Sequence, residues 1–260
     1  MKKLFAVLAI AIMVLSLSGC NSYPAINGFE YDVSQKYYGY AITGYNGKDT
    51  DIEIPSSLLG VKVAEIGDRV FQFMNNINSV TVPDGVIQIG DFAFGECDNL
   101  ENVKIPDGVT KIGTMAFFGC NALKNIDIPD SVTEFGEDAF SQSGLESIKL
   151  PKGITEVSSS LFIYCSNLKS IDIPNGVTKI GDAAFNFCES LTDVTIPDSV
   201  TFIGSSFHEC ESLTDITLPD SVTEISENAF DCSYNISVTY KGKTYDYAHI
   251  GDLYKAINGN

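Results

Sequence analysis

Six cysteines, Cys97, Cys120, Cys165, Cys188, Cys210 and Cys232, recur at intervals of 22, 23 or 45 residues, and they are the side chains best equipped for chemistry in this 260-residue chain. Thiols in even number can pair as disulfides or ligate a metal. No two of these stand as Cys-x-x-Cys, the spacing that lets near neighbours close on one tetrahedral ion. The only histidines are His208 and His249, and neither stands with a serine, cysteine or acid in a recognised nucleophile–base arrangement. Asp84, Asp107, Asp130, Asp198 and Asp220 follow prolines and would form a column of carboxylates, which can hold calcium. Lys152 and Asn175 interrupt that column, and turn formation alone accounts for aspartate there. No glycine-rich phosphate cradle or dinucleotide fingerprint is present. The residues therefore point to no catalytic group, no metal and no cofactor.

What positions the thiols is a repeat. Eight of the nine prolines (Pro55, Pro83, Pro106, Pro129, Pro151, Pro174, Pro197 and Pro219) share one register of about 23 residues. Each copy reads Leu-x-x-Ile-x-Ile-Pro, as in Leu100-Glu-Asn-Val103-Lys-Ile105-Pro106. The period-two alternation before the proline predicts a strand, which the proline ends by withholding a donor. Pro-Asp-Gly or Pro-Asp-Ser then makes a turn. Val and Ile follow at a spacing of three (Val109 and Ile112, Val177 and Ile180), then a glycine, replaced by Ser158 and Ser226 in two copies. Gly-Asp-x-Ala-Phe-x-x-Cys reads as one helical turn, with Asp91 and Asp182 placed to satisfy first-turn amides.

A fixed period of this length marks a solenoid, in which one copy cannot bury enough surface alone and neighbours supply the rest. Phe71, Phe94, Phe117, Phe140, Phe162, Phe185, Phe207 and Phe230 should then stack as a buried ladder. The cysteines follow the same repeat. Adjacent rungs lie about 4.8 Å apart, within reach of a disulfide. Ladder side chains point the same way, however, which would put the S–S dihedral near zero. They read as buried free thiols that fill small apolar slots.

The motif Leu-x-x-Ile-x-Ile-Pro-x-x-Val-x-x-Ile-Gly-x-x-Ala-Phe-x-x-Cys, over roughly residues 50–232, resembles the BspA-like class of leucine-rich repeat proteins of bacterial surfaces. The resemblance implies a right-handed leucine-rich repeat solenoid, with a parallel β-sheet on one side and short helical turns or loops on the other. It also implies an adhesin or host-interaction role and brings no catalytic residues. The departures are local. The copy after Pro55 carries about five extra residues, centred on Leu58-Leu-Gly-Val-Lys or on Phe73-Met-Asn-Asn, and the copies before Pro151 and Pro219 each lack one.

At the start, Lys2 and Lys3 precede an apolar run from Leu4 to Leu17, long enough for an export signal and too short to span a bilayer comfortably. The ending Leu17-Ser18-Gly19-Cys20 resembles a bacterial lipobox, which implies cleavage before Cys20 and lipidation of that residue. The chain then divides into a leader (1–19), a lipidated cysteine and short tether (20–30), an N-terminal β cap (31–54), the repeats (55–232) and a C-terminal cap (233–260). The N-terminal cap reads as a strand pair turning at Asn46-Gly47, and the C-terminal one as a last rung, a hairpin around Lys241-Gly-Lys and a short helix over about 247–257. The formal charge of −18 becomes −20 once Lys2 and Lys3 leave with the leader, which argues against nucleic acid and against adhesion to anionic lipid other than through the acyl chains.

A tethered solenoid presents surface, so the expected function is a lipid-anchored binding protein exposed at the bacterial cell surface, with a host or envelope protein as partner. A scaffolding envelope lipoprotein is the alternative. Tyrosines clustered at both ends suit capping, and the absence of tryptophan weighs against a sugar-stacking platform. Two surfaces are candidates for contact. One is the solvent-facing stripe between the paired apolar strand positions, Lys104, Asp127, Lys149, Asp172, Thr195 and Thr217. The other is a flank where Phe118, Ile163, Tyr164 and Phe187 replace the usual polar or small residues after the ladder phenylalanine. Those side chains either thicken the core or form an apolar contact patch.

Overall fold

A chain that returns to the same position every 22 or 23 residues can satisfy its backbone only between successive rungs, and the computed structural model, which describes residues 25–259, shows this on every side of the coil. The molecule is a parallel-strand β-solenoid of about nine turns. The Ile-x-Ile-Pro segments form one column. Asp51–Glu53, Ser79–Thr81 and Asn102–Lys104 pair in parallel, as do Ser147–Lys149, Ser170–Asp172 and Asp193–Val194, and then Asp215–Leu218 with Ser237–Tyr240. Ile52, Val80 and Val103 occupy matching register and are buried, while their neighbours face solvent.

A second column, unforeseen in the sequence, runs through the Thr-x-Ile-Gly segments. Gln88–Ile89, Lys111–Ile112 and Glu134–Phe135 pair in parallel, and Glu156–Val157, Lys179–Ile180, Phe202–Ile203 and Glu224–Ile225 continue the pattern. Two-residue strands carry almost no period-two signal, which is why the spacing of three concealed them. The glycine that follows has an ordinary backbone. Where glycine stands the rung below passes close, a Cβ at Gly113 lying 2.5 Å from Asp91 Oδ1 and 2.6 Å from the Gly90 carbonyl carbon, whereas Ser158 is accommodated with its hydroxyl donating to Phe135 O at 2.9 Å.

The third side corrects the expected helical turn. The Ala-Phe segment is a run of turns whose amides alternate between local and inter-rung acceptors: Phe71 N and Phe73 N donate to Ala93 O and Gly95 O, while Gln72 N returns to Arg69 O. Residues four apart adopt left-handed φ to permit this, among them Phe92 and Glu96, Ser160 and Tyr164, Ala183 and Phe187. Each such non-glycine residue costs on the order of 1 kcal/mol, offset by the ladder bond it enables. Asp91 and Asp182 do accept amides, as their position suggested, but from the next rung: Thr114 N at 2.8 Å and Ser205 N at 3.0 Å.

Inside, the phenylalanine ladder forms as expected. Rings from Phe71 to Phe230 are fully buried and nearly parallel, with centroids 5.2–5.7 Å apart. At the start, Phe29–Val33 and Tyr40–Tyr45 pair antiparallel, and the turn between them lies at Ser34–Gly39 rather than at Asn46-Gly47. The five extra residues after Pro55 are a small hairpin, Ser57–Leu58 against Val61–Lys62, which settles the insertion on Leu58-Leu-Gly-Val-Lys. At the end, Ser237–Tyr240 turns through Lys241 and Gly242, both at positive φ, into Lys243–Asp246, and the helix Ile250–Asn258 follows. Among the described residues no helix is long and apolar enough to cross a membrane. The leader and the expected lipidation site at Cys20 lie outside the described residues.

Candidate functional site

The regular coil is interrupted where a copy is one residue short. Phe140 and Leu145 are five apart, against six for Phe117 and Leu123 or Phe162 and Leu168. The missing residue draws Gly144 against the rung below, where a Cβ would lie 2.0 Å from the Asn121 carbonyl oxygen, so only glycine fits. Around this short turn both strand columns break: residues 125–128 form no strand, and Glu134–Phe135 does not pair with Glu156–Val157. A notch of about 430 Å³ opens on the flank, lined by Asn121, Gln142, Ser143, Gly144, Tyr164, Ser166 and Asn167. A smaller depression of about 250 Å³ lies on the strand face among Asn125, Asp127, Asp130, Ser147 and Lys149.

Tyr164 forms one wall of the notch and is 47% exposed. Its ring stacks on Phe187 with centroids 4.4 Å apart and planes 13° apart, and Phe187 in turn meets His208 edge-on at 5.2 Å. The left-handed backbone at Tyr164 and Phe187 turns both rings away from the buried ladder. The flank candidates thus divide. Phe118, Ile163 and Phe187 are half-buried and Tyr164 is exposed, and Phe118 stands two rungs away from the stacked pair. An exposed aromatic face beside neutral amides and hydroxyls can stack and exchange hydrogen bonds, which is binding chemistry.

On the strand face, Lys104, Asp127, Lys149, Asp172, Thr195 and Thr217 are all exposed, as the alternation required. Lys149 approaches Asp172 at 3.9 Å, both side chains being well solvated, so the pair contributes little. Beside it, a hydrogen bond from the Lys152 ammonium holds the Asp130 carboxyl below its ordinary range. The aspartate column gathers no cluster of three ligands among the described residues.

The thiols do not all follow the repeat. Cys97, Cys120, Cys165, Cys188 and Cys210 stand three residues after their ladder phenylalanine, are buried and free, and donate to the phenylalanine carbonyl of the preceding rung at 3.0–3.2 Å. Burial pushes Cys97 and Cys210 up to about 12 and Cys165 to about 11. Cys232 stands only two residues after Phe230. Ser233 fills the buried slot instead, donating to Phe207 O at 2.7 Å, and Cys232 is left half-buried on the flank. The 22-residue interval to Cys210 hid this: Phe207 and Phe230 are 23 apart, so Ser233, not Cys232, continues the thiol series.

A family model for BspA-type leucine-rich repeat regions matches six copies, over residues 45–169 and 155–248. The chain belongs to the BspA-type leucine-rich repeat family. Among solved structures it is similar to a T. pallidum leucine-rich repeat protein at 31% identity and a TM-score of 0.70, covering 73% of this chain and 90% of that one. It is also similar to a leucine-rich repeat protein from Bacteroides ovatus at 26% identity and a TM-score of 0.69, covering 78% of this chain and 60% of the other. A leucine-rich repeat protein from Eubacterium ventriosum, 23% identical with a TM-score of 0.60, shares the fold. No curated protein matches the chain. BspA-type repeats make protein-interaction or surface-protein modules, and leucine-rich repeat proteins are generally non-enzymatic binders.

The sequence candidates Tyr164 and Phe187 come together in this BspA-type coil, whereas Asn121, Gln142, Ser166 and Asn167 were missed. Their signal was the single missing residue before Pro151, visible as a departure from the beat but silent about which side chains it would expose.

Proposed function

We propose that the protein is a lipid-anchored binding module of the bacterial cell surface, which recognises a partner protein through the flank notch walled by Tyr164. The notch carries this reading. It lies where the repeat departs from regularity, and it offers an aromatic anchor surrounded by uncharged hydrogen-bonding groups, the make-up of a protein-recognition hot spot. Family membership supports a binding role, and the Leu-Ser-Gly-Cys ending supports export and anchoring. A role as an adhesin, with partners outside the producing cell, follows from that location.

The test is capture of partners by the full protein from host matrix and mucosal extracts, compared with capture from the cell's own envelope. Host proteins should be retained, and Tyr164→Ser should reduce retention at least tenfold while leaving Tm within a few degrees, since an exposed ring contributes little to folding. Recovery of envelope proteins alone would replace the adhesin with a scaffolding lipoprotein. Loss of capture in Lys104→Glu and Lys149→Glu, with Tyr164→Ser unaffected, would move the site to the strand face.

Anchoring has its own check. Cys20→Ala should abolish acyl labelling and release the protein from the membrane fraction, because the acidic body has no electrostatic hold on anionic lipid. Retention of the variant in membranes with full label would show that the anchor lies elsewhere.

A further inference from the structure

The displaced thiol has company. Cys232, His208 and Glu209 present ligand atoms that all lie within 4.8 Å of one another, on adjacent rungs at the C-terminal end of the aromatic flank. His208 Nε2 is 4.0 Å from Glu209 Oε1, and its Nδ1 is 3.9 Å from Asp231 Oδ2. Asp231 is itself oriented, its Oδ1 accepting the Cys232 amide at 3.0 Å and the Tyr247 hydroxyl at 3.4 Å. The imidazole is about a quarter exposed and the two carboxylates somewhat more, so the group is open to solvent on one side.

We propose that His208, Glu209 and Cys232 form a zinc site with an open fourth position. One imidazole nitrogen, one thiolate and one carboxylate are the mixed N, S and O donors that zinc accepts, and calcium or magnesium would reject the sulfur. Ligands around a tetrahedral zinc ion lie about 3.3–3.8 Å apart, given metal–ligand distances of about 2.0–2.3 Å. Side-chain rotation of these residues closes the remaining distance without moving the rungs. Asp231, whose Oδ2 is 3.9 Å from His208 Nδ1, stands where a carboxylate would orient the second nitrogen of a metal-bound histidine once the ring turns toward it. Binding releases the thiol proton to solvent and leaves the ion as Cys–S–Zn.

The register of the chain independently favours a role for this thiol. At every other cysteine rung the sulfur fills the buried slot and donates to a phenylalanine carbonyl. In the rung of Cys232 that slot is already filled by Ser233, so the fold has no use for the sulfur as filler. The site begins at His208, whose ring meets Phe187 edge-on at the end of the stack away from Tyr164, and its donors are not among the residues that line the notch.

Zinc titration of the metal-stripped full-length protein, followed calorimetrically, tests the assignment, with cobalt as a spectroscopic substitute. One zinc per chain is expected, with micromolar or tighter affinity, and cobalt should show thiolate charge-transfer absorption together with the visible bands of a tetrahedral ion. Cys232→Ser and His208→Gln should each weaken zinc at least 100-fold and abolish the charge-transfer band, with unchanged Tm in the absence of metal. His249→Gln, which removes the other histidine and its Asp246 contact, should change nothing. Absence of stoichiometric binding, or binding that survives both Cys232→Ser and His208→Gln, would overturn the site. Loss of binding in His249→Gln alone would place the metal at the C-terminal hairpin and equally overturn it.

Discussion

Phe162→Ala should lower the unfolding free energy by about 3–5 kcal/mol, read as a lower urea midpoint at unchanged slope. Phe162 is fully buried, and its ring lies between Phe140 and Phe185 with centroids 5.7 Å away on each side. Removing it leaves a cavity that cannot collapse, because the rung spacing is fixed by backbone bonds such as Phe162 N to Ala184 O and Phe140 N to Leu161 O. In a solenoid each rung is stabilised by its neighbours, so the damage reaches both sides of the gap. Tyr164→Ser, two residues on, should cost well under a third as much. Similar losses at the two positions would mean that the buried ladder and the exposed flank are not energetically distinct.

Raising the pH from 9 to 11 should unfold the protein cooperatively. The five ladder thiols are driven above their ordinary value of 9.0 chiefly by burial, to about 11 or 12 for Cys97, Cys165 and Cys210 and upward in the same sense for Cys120 and Cys188. Once the pH passes 9 the unfolded chain releases these protons while the folded chain keeps them. The stability associated with the protonated thiols is therefore complete below pH 9 and is lost as the pH climbs toward the folded values. Cys97, Cys165 and Cys210 each contribute roughly 1.4 kcal/mol per pH unit in that window, which together is a large part of the stability of an ordinary domain, and Cys120 and Cys188 act in the same direction. Far-ultraviolet dichroism against pH should show the transition. Cys120→Ser with Cys188→Ser should move it upward, since Ser143 and Ser233 show that this slot accepts a hydroxyl, which does not ionise in this range. An unmoved midpoint would exclude thiol ionisation as the cause.

Much of this molecule was legible before any coordinates. Pro106 and its equivalents ended strands, Val103 and Ile105 alternated inward, and Phe94 and its equivalents stacked, because each depends only on local chemistry repeated at a fixed interval. The candidate flank was partly legible: Tyr164 and Phe187 stood out as apolar residues that the repeat did not require. Whether they faced in or out depended on left-handed backbone at both positions, and nothing in their side chains announces that.

The sequence by itself determined the period, the family, the buried ladders and the tyrosine-rich ends, since a repeated apolar pattern has only one way to be buried at every turn. The tertiary structure decided three things that depend on rung-to-rung geometry. It showed a second strand column too short to carry a pattern, and it directed the Asp91 and Asp182 carboxylates to amides 23 residues away. It also resolved where the missing residues fall. One, beside Gly144, opens the notch, and the other falls between Gly204 and Phe207; separately, Cys232 stands two residues after Phe230 where the other thiols stand three, and so occupies a different slot. A one-residue deletion is a small mark in a sequence. In a coil held by inter-rung bonds it breaks the match between rungs, and beside Gly144 that break opens the notch next to Tyr164.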